Sequence, residues 1–411
     1  MAALEFKEAT LPNGLRVIAE INQEAKSLAM GYFIKTGSRD ELVGEEGISH
    51  FLEHMVFKGT KKRSAWDVNR EFGEMGAKYN AFTNEELTVF YGAVLPEFAP
   101  RLLELLTDLM RPAIREEDFE TERKVILEEI ALYHDRPNFI LYEKAQAAYF
   151  GSHPLAKPVL GSVESVQNLT RQQMVDYHAR RYVPGNMTLA FAGNLDWQEI
   201  LSLVEAMTAK WPAGRAIRNH PPFEPKPARL RDVSEKAAQT YTTFLAPGVS
   251  ASSEERYAAR VLSEIIGDSD NSRLYWQIVD KGLAETATAF HHEFDELGLF
   301  YVYAQGDPKN DELVSQAIHE QLEKLEREGV ASEELNRAKL KTATSLVFAG
   351  ETPLSRLFYL GMTYTYTSRY EPLTALRRWV LHLQSYHLNE LLEAKPFSKA
   401  LEYHLVPADE E

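Results

Sequence analysis

The sequence has 411 residues, a net charge of −16 and no cysteine. The chain can therefore form neither disulfides nor thiolate metal sites, and its acidic balance disfavours nucleic acid as a partner, because phosphate binding needs a basic patch. No apolar run is long enough to span a membrane, and the N-terminus lacks the basic and apolar regions of a signal peptide, so we expect a cytoplasmic protein that does not enter a membrane.

The first half alternates strand-like and helix-like segments. The hydrophobic periodicity predicts strands over residues 5–10, 15–20, 27–36, 87–95 and 187–193. It predicts helices over residues 47–57, 66–75, 97–110, 117–133 and 140–150, and a further one from Thr170 onward. Because the opening strands are joined by short connections, this order favours an α+β fold over a doubly wound parallel sheet.

The helix predicted over 47–57 contains the sequence His-Phe-Leu-Glu-His at residues 50–54. Positions i, i+3 and i+4 share one helix face, so His50 and His54 can offer two imidazole nitrogens to one metal ion, with Glu53 beside them. This H-x-x-E-H pattern is the inverted zinc-protease signature, and zinc accepts such nitrogen ligands. The alternative interpretation is a pair of half-exposed histidines, since so short a pattern also occurs by chance.

The helix predicted over 117–133 could supply a third ligand. Glu122 and Glu129 are seven residues apart and therefore lie on one face, two turns apart. Glu129 would complete a His-His-Glu zinc set with a fourth position left for water, and Glu122 would orient a ligand or polarise the water. Without the histidine motif, these glutamates would be interpreted as a solvated acidic face.

A proline-rich stretch follows and predicts an extended linker; its prolines are Pro212, Pro221, Pro222, Pro225 and Pro227. The pattern then restarts, with strands predicted over 240–246 and 297–305 and helices over 253–267, 273–279, 311–328 and 332–348. We predict a zinc-binding catalytic half (1–215), a linker (216–230) and a second, metal-free half (231–411). Each half is expected to be a mainly antiparallel sheet packed with helices.

Nearly the whole chain resembles the pitrilysin and insulinase family of inverzincin metallopeptidases, and within it the bacterial branch that is similar to the mitochondrial processing peptidase beta subunit. The resemblance rests on residues 11–17 and 31–41, on the zinc-helix segment 47–60, and on residues 153–155, 161, 182–186 and 193–194. It implies that His50, His54 and Glu129 bind one Zn²⁺ per chain. It also implies that Glu53 is the general base and that Glu122 assists catalysis.

Residues 77–91 are similar to the family strand that borders the active site. In that family an extended peptide adds to the edge strand through main-chain hydrogen bonds, which give affinity with little sequence preference. The resemblance therefore implies substrate contacts at Asn80, Ala81, Phe82 and Thr83. The same residues could also be no more than a turn and a strand.

The second half departs from the family at two positions. Many relatives carry an arginine and a tyrosine, seven residues apart, that hold the substrate carbonyl. Here those positions are Ile278 and Glu285, and neither side chain can donate a hydrogen bond to an oxyanion at neutral pH.

We predict a zinc endopeptidase that hydrolyses extended or unfolded peptides inside a cavity formed with a second homologous subunit, which carries the Arg–Tyr pair. Two alternatives are a homodimer that needs no such partner and a non-catalytic, core-type assembly subunit. Members of the latter class typically lose the zinc motif, so the intact motif argues against it.

Overall fold

The computed structural model describes residues 4–408. Its strands are β1 (Glu5–Thr10), β2 (Arg16–Ile21), β3 (Leu28–Ile34), β4 (Lys78–Thr83), β5 (Thr88–Val94), β6 (Met187–Gly193), β7 (Ala228–Ser234), β8 (Thr240–Gly248), β9 (Thr286–Glu293), β10 (Gly298–Gly306) and β11 (Leu401–Pro407). Its helices are α1 (Ile48–Val56), α2 (Ala65–Glu74), α3 (Ala99–Leu109), α4 (Glu116–Tyr133), α5 (Pro137–Phe150), α6 (Val163–Asn168), α7 (Arg171–Arg181), α8 (Trp197–Thr208), α9 (Arg256–Gly267), α10 (Asp311–Glu328), α11 (Ser332–Ala349), α12 (Pro353–Thr367), α13 (Leu373–His382) and α14 (Ser385–Glu393).

The chain forms two compact units that are discontinuous in sequence. Of the described residues, the first unit comprises 4–130, 157–219 and 349–371, and the second comprises 131–156, 220–348 and 372–408. This partition differs from the predicted division into 1–215, 216–230 and 231–411. The reason is that each unit includes a helix from the other half of the sequence. α5, from the first half, packs on β8 and β11 in the second unit, and α12, from the second half, packs on β3 and β6 in the first unit.

The first unit is built on a six-stranded sheet with the order β1-β2-β6-β3-β5-β4. All neighbouring strands are antiparallel except β2 and β6, which run parallel. One sheet face is covered by α12, where Phe33 packs with Leu357 and Leu360 in a buried core. Gly361 permits this close approach, because a Cβ atom there would lie 2.2 Å from the ring of Phe33.

The second unit repeats this plan with a five-stranded sheet in the order β7-β11-β8-β10-β9. Here too one pair, β7 and β11, is parallel and the remaining neighbours are antiparallel. α5 contributes Leu141 and Phe150 to a core with Leu299 and Leu405. The predicted α+β class, with two similar halves built on mainly antiparallel sheets, is therefore confirmed.

The predicted elements agree with the structure to within a few residues, apart from two local differences. The helix predicted over 273–279 contains a single π-helical turn at Tyr275–Val279. Residues 212–227 have no regular secondary structure, as predicted for a linker, but β7 begins at Ala228, before the predicted end of that linker. Among residues 4–408, none of the helices combines the length and the apolar character needed to cross a membrane.

Candidate metal centre

The start of α1 is fixed by backbone and side-chain contacts. Gly47 precedes the helix with a φ of 91°, and a Cβ atom there would lie 2.6 Å from the carbonyl oxygen of Leu160, so only glycine fits without strain. The buried carboxylate of Glu41 accepts hydrogen bonds from the backbone N–H groups of Gly47, at 3.0 Å, and Ser49, at 2.9 Å. These bonds satisfy N–H groups that have no partner within the helix.

α4 lies against α1 and brings the later glutamates to the motif. The rings of Phe51 and Phe119 stack with centroids 4.7 Å apart. Phe119, Glu122 and Ile126 form a buried row along α4 at the spacing expected for one helix face. Glu122 is thus a charged residue in an otherwise apolar row, which indicates that its carboxylate has specific partners.

Among the described residues, His50, His54 and Glu129 form the group that could hold a metal ion, with ligand atoms within 4.8 Å of one another. Oε2 of Glu129 lies 3.7 Å from Nε2 of His50 and 3.5 Å from Nε2 of His54. Ligands that bind a tetrahedral zinc ion at its usual distances are roughly 3.4 Å apart. Both the spacing and the nitrogen and oxygen chemistry of these side chains therefore fit zinc.

Glu122 joins the histidine motif to a lysine. Its Oε1 lies 2.9 Å from Nδ1 of His54, and its Oε2 lies 2.5 Å from Nζ of Lys58. When Nδ1 of His54 donates to this carboxylate, the lone pair of the imidazole is on Nε2, the nitrogen that faces Glu129. Glu122 therefore contacts a candidate ligand directly, and it orients that ligand in the manner of a carboxylate behind a metal-binding histidine.

The environment sets the charge states of the two histidines differently. Burial, followed by the nearby His54, lowers the pKa of His50 to about 3, so that this imidazole is neutral, as a metal ligand must be. Burial also lowers the pKa of His54, but Glu122, Glu129 and Glu53 outweigh that effect and raise it. A metal ion and a proton would therefore compete for Nε2 of His54.

Glu53 is half-buried beside the histidines. Its Oε2 accepts a hydrogen bond of 2.7 Å from Oγ1 of Thr83 at the end of β4. Burial raises the pKa of this carboxyl group, and the Thr83 bond and His54 oppose the increase. A carboxylate with a raised pKa is a stronger base, which suits a group that must take up a proton.

The four predicted substrate-binding residues have different surroundings. Asn80 is exposed and, with Glu53 and His54, lines a depression of about 280 Å³. The side chain of Ala81 is buried, and Phe82 packs against Phe358 in the core beneath α12. Thr83 bonds to Glu53. Their common feature is β4, which pairs with β5 and stands at the end of the strand order.

Three contacts at this site were not anticipated from the sequence: those of Glu41 with the start of α1, Lys58 with Glu122, and Thr83 with Glu53. Of these, Lys58 had a sequence signal, since it follows His54 by four residues, the spacing of one helical turn. A larger cavity of about 910 Å³ lies in the second unit, between residues of α9, α10 and α11. It contains none of the predicted site residues.

Comparison with known proteins places the chain in a family. The sequence model of the insulinase family (peptidase family M16) matches residues 16–163, and the model of the peptidase M16 inactive domain matches residues 168–342. An uncharacterized zinc protease of Mycobacterium tuberculosis is 35% identical over 370 residues, covering 88% of this chain and 84% of the relative. One of Bacillus subtilis is 32% identical over 356 residues, covering 86% of each.

A solved structure extends the agreement to the fold. A protease from Helicobacter pylori superposes with a TM-score of 0.91 at 22% identity, covering 98% of this chain and 100% of that one. The family models match both halves of the chain, and the relatives match most of its length. The chain belongs to the pitrilysin and insulinase family of peptidases, family M16.

Proposed function

We propose that the chain is a zinc-dependent endopeptidase. The observation that carries the proposal is the convergence of His50, His54 and Glu129 on one point, with the carboxylate of Glu53 on the next turn of the same helix. Each of these residues has the chemistry that its role requires, and they come from two helices that are packed together. A non-catalytic assembly subunit has no need of this arrangement.

The chemistry that a zinc ion supplies when bound is activation of a water molecule and polarisation of the scissile carbonyl. Glu53 removes a proton from the attacking water and later delivers it to the leaving amine. Glu122 holds the imidazole of His54 in the tautomer that presents Nε2 to the metal.

The proposed substrate is an extended peptide. β4 stands at the end of its sheet, and an edge strand presents N–H and C=O groups to a further strand. A peptide added beside Asn80 and Ala81 would be held mainly by its main chain, which favours unfolded substrates of varied sequence. Because Phe82 and Thr83 are occupied by contacts within the chain, we assign any role they have in substrate binding to their backbone.

We also propose that a second homologous subunit completes the site. Ile278 is fully buried, and Glu285 accepts a hydrogen bond of 2.6 Å from Nε2 of Gln239. Neither side chain is therefore available to donate a hydrogen bond to a developing oxyanion, a role that the resemblance assigns to an Arg–Tyr pair. A partner that carries this pair would supply the donors. A homodimer that uses other donors is the alternative.

The test of the proposed activity is a comparison of the wild-type chain with Glu53→Gln and Glu128→Gln, using an extended, internally quenched peptide in the presence of any candidate partner. Glu128 is an exposed neighbour of Glu129, so its substitution is the matched control. We expect one zinc per chain in all three proteins, and a loss of turnover of at least ~100-fold in Glu53→Gln alone. Near-normal turnover by Glu53→Gln, or absence of zinc from the wild type, would remove the proposed mechanism.

A further inference from the structure

A hydrogen bond connects α1 to β4, the edge strand of the first unit's sheet. Oγ1 of Thr83, the last residue of β4, donates to Oε2 of Glu53 at 2.7 Å. Thr83 is paired in register with Thr88 of β5, but their hydroxyl oxygens are 3.4 Å apart. The hydroxyl of Thr88 donates to the carbonyl oxygen of Thr36 at 3.0 Å. The geometry therefore directs the hydroxyl hydrogen of Thr83 to Glu53.

This bond makes the two oxygens of Glu53 inequivalent. A carboxylate can otherwise rotate about its terminal torsion, which is broad and roughly two-fold, and either oxygen could then take up the proton. Because the bond from Thr83 occupies a lone pair of Oε2, Oε1 is the oxygen with more capacity left to accept a proton. When the base is held in its reactive orientation, less conformational entropy is lost on reaching the transition state. Small errors in this alignment strongly reduce turnover.

We infer that Thr83 is a positioning residue, which fixes the carboxylate of Glu53 so that Oε1 takes the proton from the attacking water and returns it to the leaving amine. The inference rests on the proposed peptidase function. Thr83 then orients the general base Glu53, whereas the sequence predicted that Thr83 contacts the substrate. Substrate docking and orientation of the base then depend on the same element, because β4 is the proposed docking strand and also carries Thr83.

The inference is tested with Thr83→Val, which keeps the branched shape and removes the donor, and Thr83→Ser, which keeps the donor. We expect Thr83→Val to lower kcat by about 10- to 100-fold, because small misplacements of a reacting group can reduce turnover by up to ~100-fold. KM should stay within about threefold of the wild-type value, and zinc content and thermal stability should be unchanged. Thr83→Ser should retain kcat within about threefold.

Two further proteins separate positioning from local packing. Thr88→Val removes the neighbouring hydroxyl that bonds to Thr36, so it should lower stability while leaving kcat close to the wild-type value. In the Glu53→Gln background, Thr83→Val should cause little additional loss, because residues that act through one group are not additive. Full additivity of the two substitutions would contradict the inference.

The remaining outcomes also decide the question. A raised KM with unchanged kcat would show that Thr83 binds substrate, and loss of zinc or stability in Thr83→Val would show a structural role; either result overturns the inference. Crystal structures of the metal-free wild type and Thr83→Val provide a readout that does not depend on activity. We expect the Glu53 carboxylate to rotate only in the variant. If the zinc-loaded wild type hydrolyses no peptide with or without its partner, the proposed function fails, while these structures still show whether Thr83 fixes Glu53.

Discussion

His54 and Glu122 are joined by a hydrogen bond of 2.9 Å between Nδ1 and Oε1, and the other oxygen of Glu122 is paired with Lys58. Both carboxylate oxygens are therefore engaged, one by a candidate zinc ligand and one by a cation. Lys58 therefore influences the orientation of the His54 imidazole through Glu122. With His54 as a proposed zinc ligand, we therefore expect the affinity for zinc to depend also on Glu122 and Lys58.

The first prediction concerns this chain of contacts. Glu122→Gln should weaken zinc binding by about 10- to 100-fold, the usual effect of losing a partner of a metal-binding histidine. Lys58→Met should weaken it less, because Lys58 acts only through Glu122. Zinc affinity can be measured by competition with a chromophoric chelator, with Glu128→Gln as the control. Equal affinities in all four proteins would show that Glu122 does not orient His54.

The second prediction concerns the ligands. His54→Ala and Glu129→Gln should each lose most of the bound zinc after dialysis, because each removes one of three protein ligands. Glu128→Gln should keep one zinc per chain, since Glu128 is exposed beside Glu129. Elemental analysis gives the stoichiometry, and circular dichroism checks that the helices persist. If zinc remained at full stoichiometry in both ligand variants, the assignment of the site would be wrong.

Helix α1 could be predicted closely because the sequence evidence for it is local. The spacing of His50, Glu53 and His54 gives both the helix and the shared face, and the structure places α1 within one residue of each predicted end. The two-turn separation of Glu122 and Glu129 likewise shows that they share a face of α4. The packing of that face on α1 was expected only from the hypothesis of a shared metal site and from the family resemblance.

Contacts between distant parts of the chain could not be predicted in the same way. α12 covers the first sheet although it follows four strands of the second sheet, β7 to β10, in sequence. Periodicity shows that a helix has an apolar face without showing what covers that face. The bond from Thr83 to Glu53 spans 30 residues, and the sequence pointed to Thr83 only as a substrate contact, with no sign that Glu53 is its partner. Such contacts depend on packing, which pattern analysis does not determine.

The third prediction concerns a buried histidine in the second unit. His404 lies between two carboxylates: Nδ1 is 2.8 Å from Oδ1 of Asp311, and Nε2 is 2.7 Å from Oε1 of Glu402. Burial lowers the pKa of His404, but the two carboxylates outweigh that effect and raise it. The folded state therefore binds the proton of His404 more tightly than the unfolded state does. The resulting gain in folding stability is fully present below pH ~6.5, the ordinary pKa of histidine, and is lost as the pH rises through the raised pKa.

Hydrogen exchange can measure this effect locally. After correction for intrinsic rates, protection of the β11 amides should fall between pH 6 and pH 9 in the wild type. His404→Gln should be less protected at pH 6 and should show little dependence on pH. His382→Gln is the control, because His382 is exposed and should leave the wild-type profile unchanged. A wild-type profile that is flat over this range would contradict the prediction.

The last prediction concerns the partner. The isolated chain should be a poor peptidase, because Ile278 and Glu285 stand where the resemblance expects oxyanion donors, and a missing donor typically reduces turnover by ~10²–10³-fold. Addition of a homologous subunit that carries the Arg–Tyr pair should restore turnover of an unfolded peptide. Replacing that arginine or tyrosine in the partner should abolish the activation while leaving zinc in this chain unchanged. If the isolated chain is fully active and the partner adds nothing, a self-sufficient homodimer becomes the better explanation, and size-exclusion chromatography of the chain alone should then show a dimer.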